Sequence, residues 1–363
     1  MNDTVERIAV HAYRVPTDRP ESDGTFEWTS TTCVLVHAFG AGEWGIGYTY
    51  ADLATATLIR DTLAEVVVGC DVFAPQAAWR AMVHAVRNLG RPGIASMAIS
   101  AVDNALWDLK AHVLDVSLVE LLGPVRDRIA AYGSGGFTSY TADELAEQLG
   151  GWARCGYGRV KMKVGRDARA DVDRVAVARD AIGPKIELFV DANGAYTRTV
   201  AAAQAEAFAR YGVTWFEEPV SSDDLAGLRE LRDRTPADMA VAAGEYGYQP
   251  EYFDRMLAAD AVDVLQADAT RCEGITGLLT VASLCEARGM KLSAHCAPAL
   301  HVHPFCAIGP AIHIEAFHDH TRIEHLLFDG APVTERGTFA PDLTRAGFGL
   351  RLKDADAARY EIA

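Results

Sequence analysis

From about residue 126 onward, short runs rich in β-branched and aromatic residues alternate with longer stretches whose apolar residues recur at helical spacing. The strand-like runs are RIAAYGSG (128–135), RVKMKVG (159–165), IELFVDANG (186–194), VTWFEEP (213–219), MAVAAGE (239–245), VDVLQAD (262–268), KLSAH (291–295) and AIHIE (311–315). Between them lie segments such as DARADVDRVAVARDAIG and EGITGLLTVASLCEARG, apolar on one helical face and polar on the other. Eight strand-and-helix units predict an α/β fold, a closed (β/α)8 barrel of the TIM type. An open doubly wound sheet is the structural rival.

The ionisable residues fall at matching places in this rhythm. Lys161 and Lys163 stand two apart in the second run and so point to one face. Lysine is rarely buried without a partner. Asp191, Glu217, Glu245, Asp268, His295 and Glu315 end the third to eighth runs. An acidic residue after a single strand is ordinarily a helix cap or a solvated charge. Six ionisable ends in register, facing two lysines, instead converge on one mouth of a barrel, where such folds carry chemistry.

Asp191, Glu217 and Glu245 offer only oxygen, which suits a hard divalent cation: Mg2+, with Mn2+ as a substitute. The lysine pair stands on one side of that site. His295 stands on the other, with Asp268 placed to fix its tautomer. Like-charge repulsion is expected to lower the lysine pKa values. Two bases flanking a hard cation suit removal of a weakly acidic proton next to a carboxylate, with stabilisation of the enediolate that results.

Composition narrows the partners. Half of the 363 residues are hydrophobic and the net charge is −16, which disfavours nucleic acid. The chain has no apolar run of about eighteen residues, so no membrane partner is expected. The N-terminus lacks the pattern of a signal peptide. Seven scattered cysteines without a CxxC pair read as free thiols in a reducing, cytoplasmic setting.

The ordered set KMK, VDANG, WFEEP, AAGE, QAD and SAH resembles the enolase superfamily, mandelate racemase subgroup. AISAVDNALWDLKAHVLDVSLVELLG (98–123) resembles that family's capping domain. The resemblance implies an N-terminal α+β capping domain over 1–125 and a barrel over 126–325 whose eighth unit returns to the cap. A segment over 326–363 would pack back on the cap. It also implies Mg2+ on Asp191, Glu217 and Glu245, with Lys163 and His295 as bases and Asp268 as partner of His295. Lys161 would contact the substrate carboxylate, and a protonated Glu315 would donate a hydrogen bond to the enediolate. Asn193 would point into the site, while Glu218 would face away from it.

In this family, substrate choice comes from two capping loops, here expected at 15–30, with Arg19, Phe26 and Trp28, and at 45–50, with Tyr48. The HDH run (318–320), His301 and His303 are read as solvated or structural. Arg271 is read equally as a substrate contact or as a screen of the acidic mouth. The expected reaction is dehydration of a sugar acid to a 2-keto-3-deoxy acid, making the substrate a small-molecule carboxylate. Racemisation or epimerisation by Lys163 and His295 is the alternative. A Schiff-base aldolase or a relic site is more remote, and a homo-oligomer is expected.

Overall fold

The computed structural model describes residues 3–363. Three antiparallel strands open the chain: β1 (Val5–Ser22), β2 (Glu27–Gly40) and β3 (Glu43–Tyr50). The long helix Ile94–Val113 lies across β3. Gly45 and Gly47 permit that approach, because a Cβ at either would meet the backbone of the helix.

Eight parallel strands follow: β4 (Ile129–Gly135), β5 (Arg159–Lys163), β6 (Glu187–Asp191), β7 (Val213–Glu217), β8 (Ala240–Ala243), β9 (Val264–Ala267), β10 (Lys291–Ala294) and β11 (Ala311–Phe317). Each pairs with the next, and β11 pairs with β4, so the barrel is closed and the open-sheet rival falls away. The apolar faces of the barrel helices pack outside the strands around residues such as Val160, Leu188, Phe216 and Leu265. Tyr132, Phe189, Trp215, Ala242 and Val264 fill the interior at the opposite end from the ionisable residues.

The cap is tied to the loop after β9. From the helix Ile94–Val113, Asp103 accepts from Thr276 N at 2.8 Å and Asn104 accepts from Ile275 N at 3.1 Å. These bonds satisfy otherwise orphaned donors at the start of the helix Gly274–Arg288. The helix after β11, His318–Leu327, turns back to the cap, where Ile323 and Leu327 pack with Tyr13, Leu35 and Tyr48. At the C-terminal end, Ile362 N donates to Ala12 O.

The two stretches expected as loops are largely strand. Residues 15–22 continue β1 past Pro16, with a register shift between Pro16 and Glu21, and residues 27–30 begin β2. Pairing lapses over residues 17–20, and the turn between the strands is held by Asp23 Oδ1, which accepts from Thr25 N and Phe26 N. Residues 45–50 belong to β3, paired to β2 throughout.

Candidate active site

The triad begins in the strand register. Lys163, Asp191 and Glu217 are aligned across β5, β6 and β7. Glu245 stands just beyond β8, after Gly244, whose φ of 136° and contact with the Gln266 backbone admit no other residue without strain. Asp191, Glu217 and Glu245 are all buried, and their ligand oxygens lie within 4.8 Å of one another. An all-oxygen set this close fits a hard divalent cation, because the carboxylates otherwise repel one another. Burial, together with Asp191, Glu315 and Glu245, pushes the Glu217 carboxyl up to about 8, against the opposing pull of Lys161.

The barrel order puts β5 and β10 on either flank of the arc β6–β8. From β5, Lys163 Nζ donates to Asp191 Oδ2 at 2.5 Å. Lys161 lies deeper, fully buried, 2.5 Å from Glu217 Oε1 and 2.8 Å from Glu315 Oε1. After β10, His295 Nδ1 lies 2.7 Å from Asp268 Oδ2. The loops carrying this pair are clamped by His301, whose Nε2 accepts from Ala269 N at 2.9 Å. Its Nδ1 lies 2.9 Å from Cys296 O, so His301 holds the site without facing it. Lys163, Asn193, Glu245, His295 and Glu315 line one cavity of about 570 Å3, closed on the cap side by Trp28, Thr32 and Tyr50. That size suits a small organic ligand.

Two family models divide the chain in the same way. Residues 12–123 match the mandelate racemase / muconate lactonizing enzyme N-terminal domain, and residues 143–357 match the enolase C-terminal domain-like model. The chain belongs to the enolase superfamily, in its mandelate racemase/muconate lactonizing enzyme branch.

Within that family, the chain is 31% identical to 3,6-anhydro-alpha-L-galactonate cycloisomerase of Streptomyces coelicolor, over 96% of this chain and 97% of the relative. A solved mandelate racemase/muconate lactonizing enzyme-like protein from Rubrobacter xylanophilus is 53% identical, with a TM-score of 0.97 over 99% of this chain and 100% of that one. The structure of L-talarate dehydratase from Polaromonas sp. JS666, complexed with Mg and L-glucarate, is 29% identical, with a TM-score of 0.90 over 99% of this chain and 98% of the other. The buried triad fits a Mg2+ site, and magnesium is bound in solved members of the family.

Several residues differ from their expected places or states. Tyr48 does not reach the cavity: it is fully buried, stacked on Phe328, and donates to Glu324 at 2.5 Å. Tyr50, two residues on, takes the lining position. Arg19 pairs with Glu144 at 3.1 Å in a separate surface hollow. Trp28 does line the cavity, its indole N–H donating to Glu21 at 2.8 Å. His320, read as solvated or structural, also lines the cavity, stacked on Tyr50. Arg271 lines it too, donating to Glu245 O at 3.0 Å and lying over the Tyr246 ring. Glu218 opens instead on a neighbouring hollow with Ser222 and Tyr252.

Charge states depart from expectation as well. Burial lowers the Lys163 pKa and Lys161 repels it, but Asp191, Glu245 and Glu217 together outweigh both, so the net shift is upward. Burial raises the Glu315 carboxyl, yet Lys161, His295 and Lys163 bring it down to about 2, a shift that favours its ionised form. Burial disfavours the His295 imidazolium, but Cys296, Glu245 and Asp268 overcome this and raise its pKa well above the ordinary value. No disulfide joins the cysteines, and no helix among the described residues is long and apolar enough to cross a membrane.

Proposed function

We propose that this chain is a Mg2+-dependent hydro-lyase acting on a sugar acid, an aldonate or aldarate, to give a 2-keto-3-deoxy acid. The carrying observation is that Lys163 and the His295–Asp268 pair flank the carboxylate triad within one cavity. Asp191, Glu217 and Glu245 would hold the cation. When bound, Mg2+ supplies positive charge for the substrate carboxylate and weakens the hold of the triad on the Lys163 ammonium.

The chain's own groups supply the rest. Lys161, fixed between Glu217 and Glu315, presents positive charge where the substrate carboxylate gains charge. Lys163 takes the α-proton. His295, held protonated beside Asp268, delivers a proton to the β-hydroxyl. The C–O bond breaks, water leaves, and the enol product becomes the ketone. Asn193 and Trp28 would contact the hydroxylated chain.

The match along nearly the whole length of a cycloisomerase favours one second reading. A racemase or epimerase would use Lys163 and His295 on opposite faces of the same carbon without loss of water. The Schiff-base reading suits these lysines poorly, because Lys161 is locked between two carboxylates and Lys163 is paired with Asp191. The reading includes a cytoplasmic location, supported by the unpaired cysteines, and self-association, tested by light scattering. Sugar acids are incubated with the enzyme and Mg2+, and keto acid is trapped with semicarbazide. Product dependent on both Lys163 and His295 supports the lyase, while product surviving Lys163→Ala with His295→Asn contradicts it.

A further inference from the structure

Sulfur, imidazole nitrogen and carboxylate oxygen meet at one point of the cavity wall. Cys296 Sγ lies 3.2 Å from His295 Nε2 and 3.7 Å from Glu315 Oε2. Ligand atoms of these three buried residues all lie within 4.8 Å of one another. A tetrahedral ion with bonds of about 2.0–2.3 Å separates its N, S and O ligands by about 3.3–3.5 Å. The observed spacing is close to that.

This donor set differs in kind from the triad. Asp191, Glu217 and Glu245 offer only oxygen and suit Mg2+, whereas sulfur with imidazole suits Zn2+. The cavity beside these atoms holds a further unpartnered nitrogen. His320 lines the same cavity, is only 8% exposed, and its buried Nδ1 has no hydrogen-bond partner. Glu315 Oε2 accepts from Cys296 N at 3.0 Å and keeps a further lone pair for a cation.

We propose that His295 Nε2, Cys296 Sγ and Glu315 Oε2 form a second cation site that takes Zn2+, sharing no ligand with the triad but bordering it where Glu245 Oε2 lies 3.2 Å from His295 Nε2, and that filling it switches the enzyme off. On binding, the thiol proton and the Nε2 proton of the His295 imidazolium both leave to solvent and the Nε2 lone pair is occupied, so His295 can neither accept nor deliver a proton. No redox change is involved. Binding stands on the geometry alone, while the inhibition rests on the role given to His295 in the proposed reaction.

Co2+ is the probe, because a thiolate ligand gives it an intense near-ultraviolet charge-transfer band. The full chain is saturated with Mg2+ and titrated with Co2+, alongside Cys296→Ser and Cys296→Ala checked for native near-UV circular dichroism. The expected result is one tightly bound Co2+ per chain with the thiolate band, and loss of both in either variant that keeps the native spectrum. Zn2+ inhibition of the parent is then unrelieved by added Mg2+ and weaker by ~10-fold or more in the variant. Absence of the band, or its survival in the variants, overturns the site. A band that behaves as expected without Zn2+ inhibition keeps the site and overturns the switch, together with the role of His295.

Discussion

On β6, Phe189 and Asp191 stand two residues apart, and on β7 Trp215 and Glu217 repeat the spacing, as do His313 and Glu315 on β11. The first of each pair belongs to the barrel floor, the second to its mouth. The floor is aromatic: Phe189 stacks on Trp215 with centroids 5.0 Å apart, and His313 lies edge-on to Tyr132. The mouth holds two lysines and a ring of carboxylates. Strand periodicity puts both members of each pair on the interior, so chemistry alone distinguishes the layers. The layers also touch. Trp215 donates its indole N–H to Glu217 Oε2 at 2.8 Å, and Lys161 Nζ lies 5.3 Å from the centre of the Tyr132 ring. The floor gives the buried charges a rigid, water-free base, and their mutual pairing offsets the desolvation that burial demands.

If the layers divide labour in this way, changes in the mouth should cost rate and changes in the floor should cost stability. The largest effect is expected from Lys163→Ala or His295→Asn: kcat falls by ~10^3-fold or more, while the thermal midpoint changes little by comparison. Chelation by EDTA should likewise abolish turnover, with recovery on adding Mg2+. A Glu217→Gln variant should need more Mg2+ for half-maximal rate.

In the floor, Trp215→Ala should destabilise by ~3–5 kcal/mol in denaturant unfolding, through the lost aromatic volume. It should also disturb Mg2+ binding through Glu217. A mouth unaffected by this change would separate the layers more completely than the structure does.

The next effect concerns pH. Burial, with Arg159 and Lys161 nearby, pushes the His313 imidazole down to about 3. The folded state therefore binds fewer protons than the unfolded chain below the ordinary histidine pKa of about 6.5. Stability from this source is complete above about 6.5 and is lost as pH falls toward 3. His313→Gln should flatten that acid limb when thermal midpoints are followed across the range.

The smallest effects separate two cap residues. Trp28→Ala should raise KM about tenfold through a lost cavity wall, on the scale of a contact worth ~1.4 kcal/mol. Tyr48→Phe should leave KM unchanged and cost about 1–2 kcal/mol of stability through its buried bond to Glu324.

The barrel was legible because its signal repeats. Eight apolar runs, six of them closed by an ionisable residue and one carrying the lysine pair, define both the strands and the mouth, and seven of the eight barrel strands lie within those runs, with β11 extending two residues further. The cap was less legible for physical reasons. The stretch 15–30 was expected as a loop, yet β1 continues past Pro16 by shifting register against β2, a partner that local sequence cannot reveal. Tyr48 and Tyr50 share a strand face and a residue type, and only the return of the helix His318–Leu327 decides which one meets the cavity. His320 was hidden because its HDH run looks like a solvated loop. Charge states were beyond pattern reading: the spacing KMK suggests repulsion, but the fold sets Asp191 and Glu217 closer still. Cys296 looked like one more free thiol until the fold placed it against His295.

The central claim is that this mouth removes the α-proton of a sugar acid. The most direct test is NMR of aldonic and aldaric acids incubated with the Mg2+-loaded enzyme in D2O. The account predicts that one acid loses its α-proton and its β-hydroxyl together, and that a 2-keto-3-deoxy product appears only while Lys163 and His295 are intact. Every acid keeping its α-proton, or a product formed equally well by the Lys163→Ala, His295→Asn double variant, would contradict it.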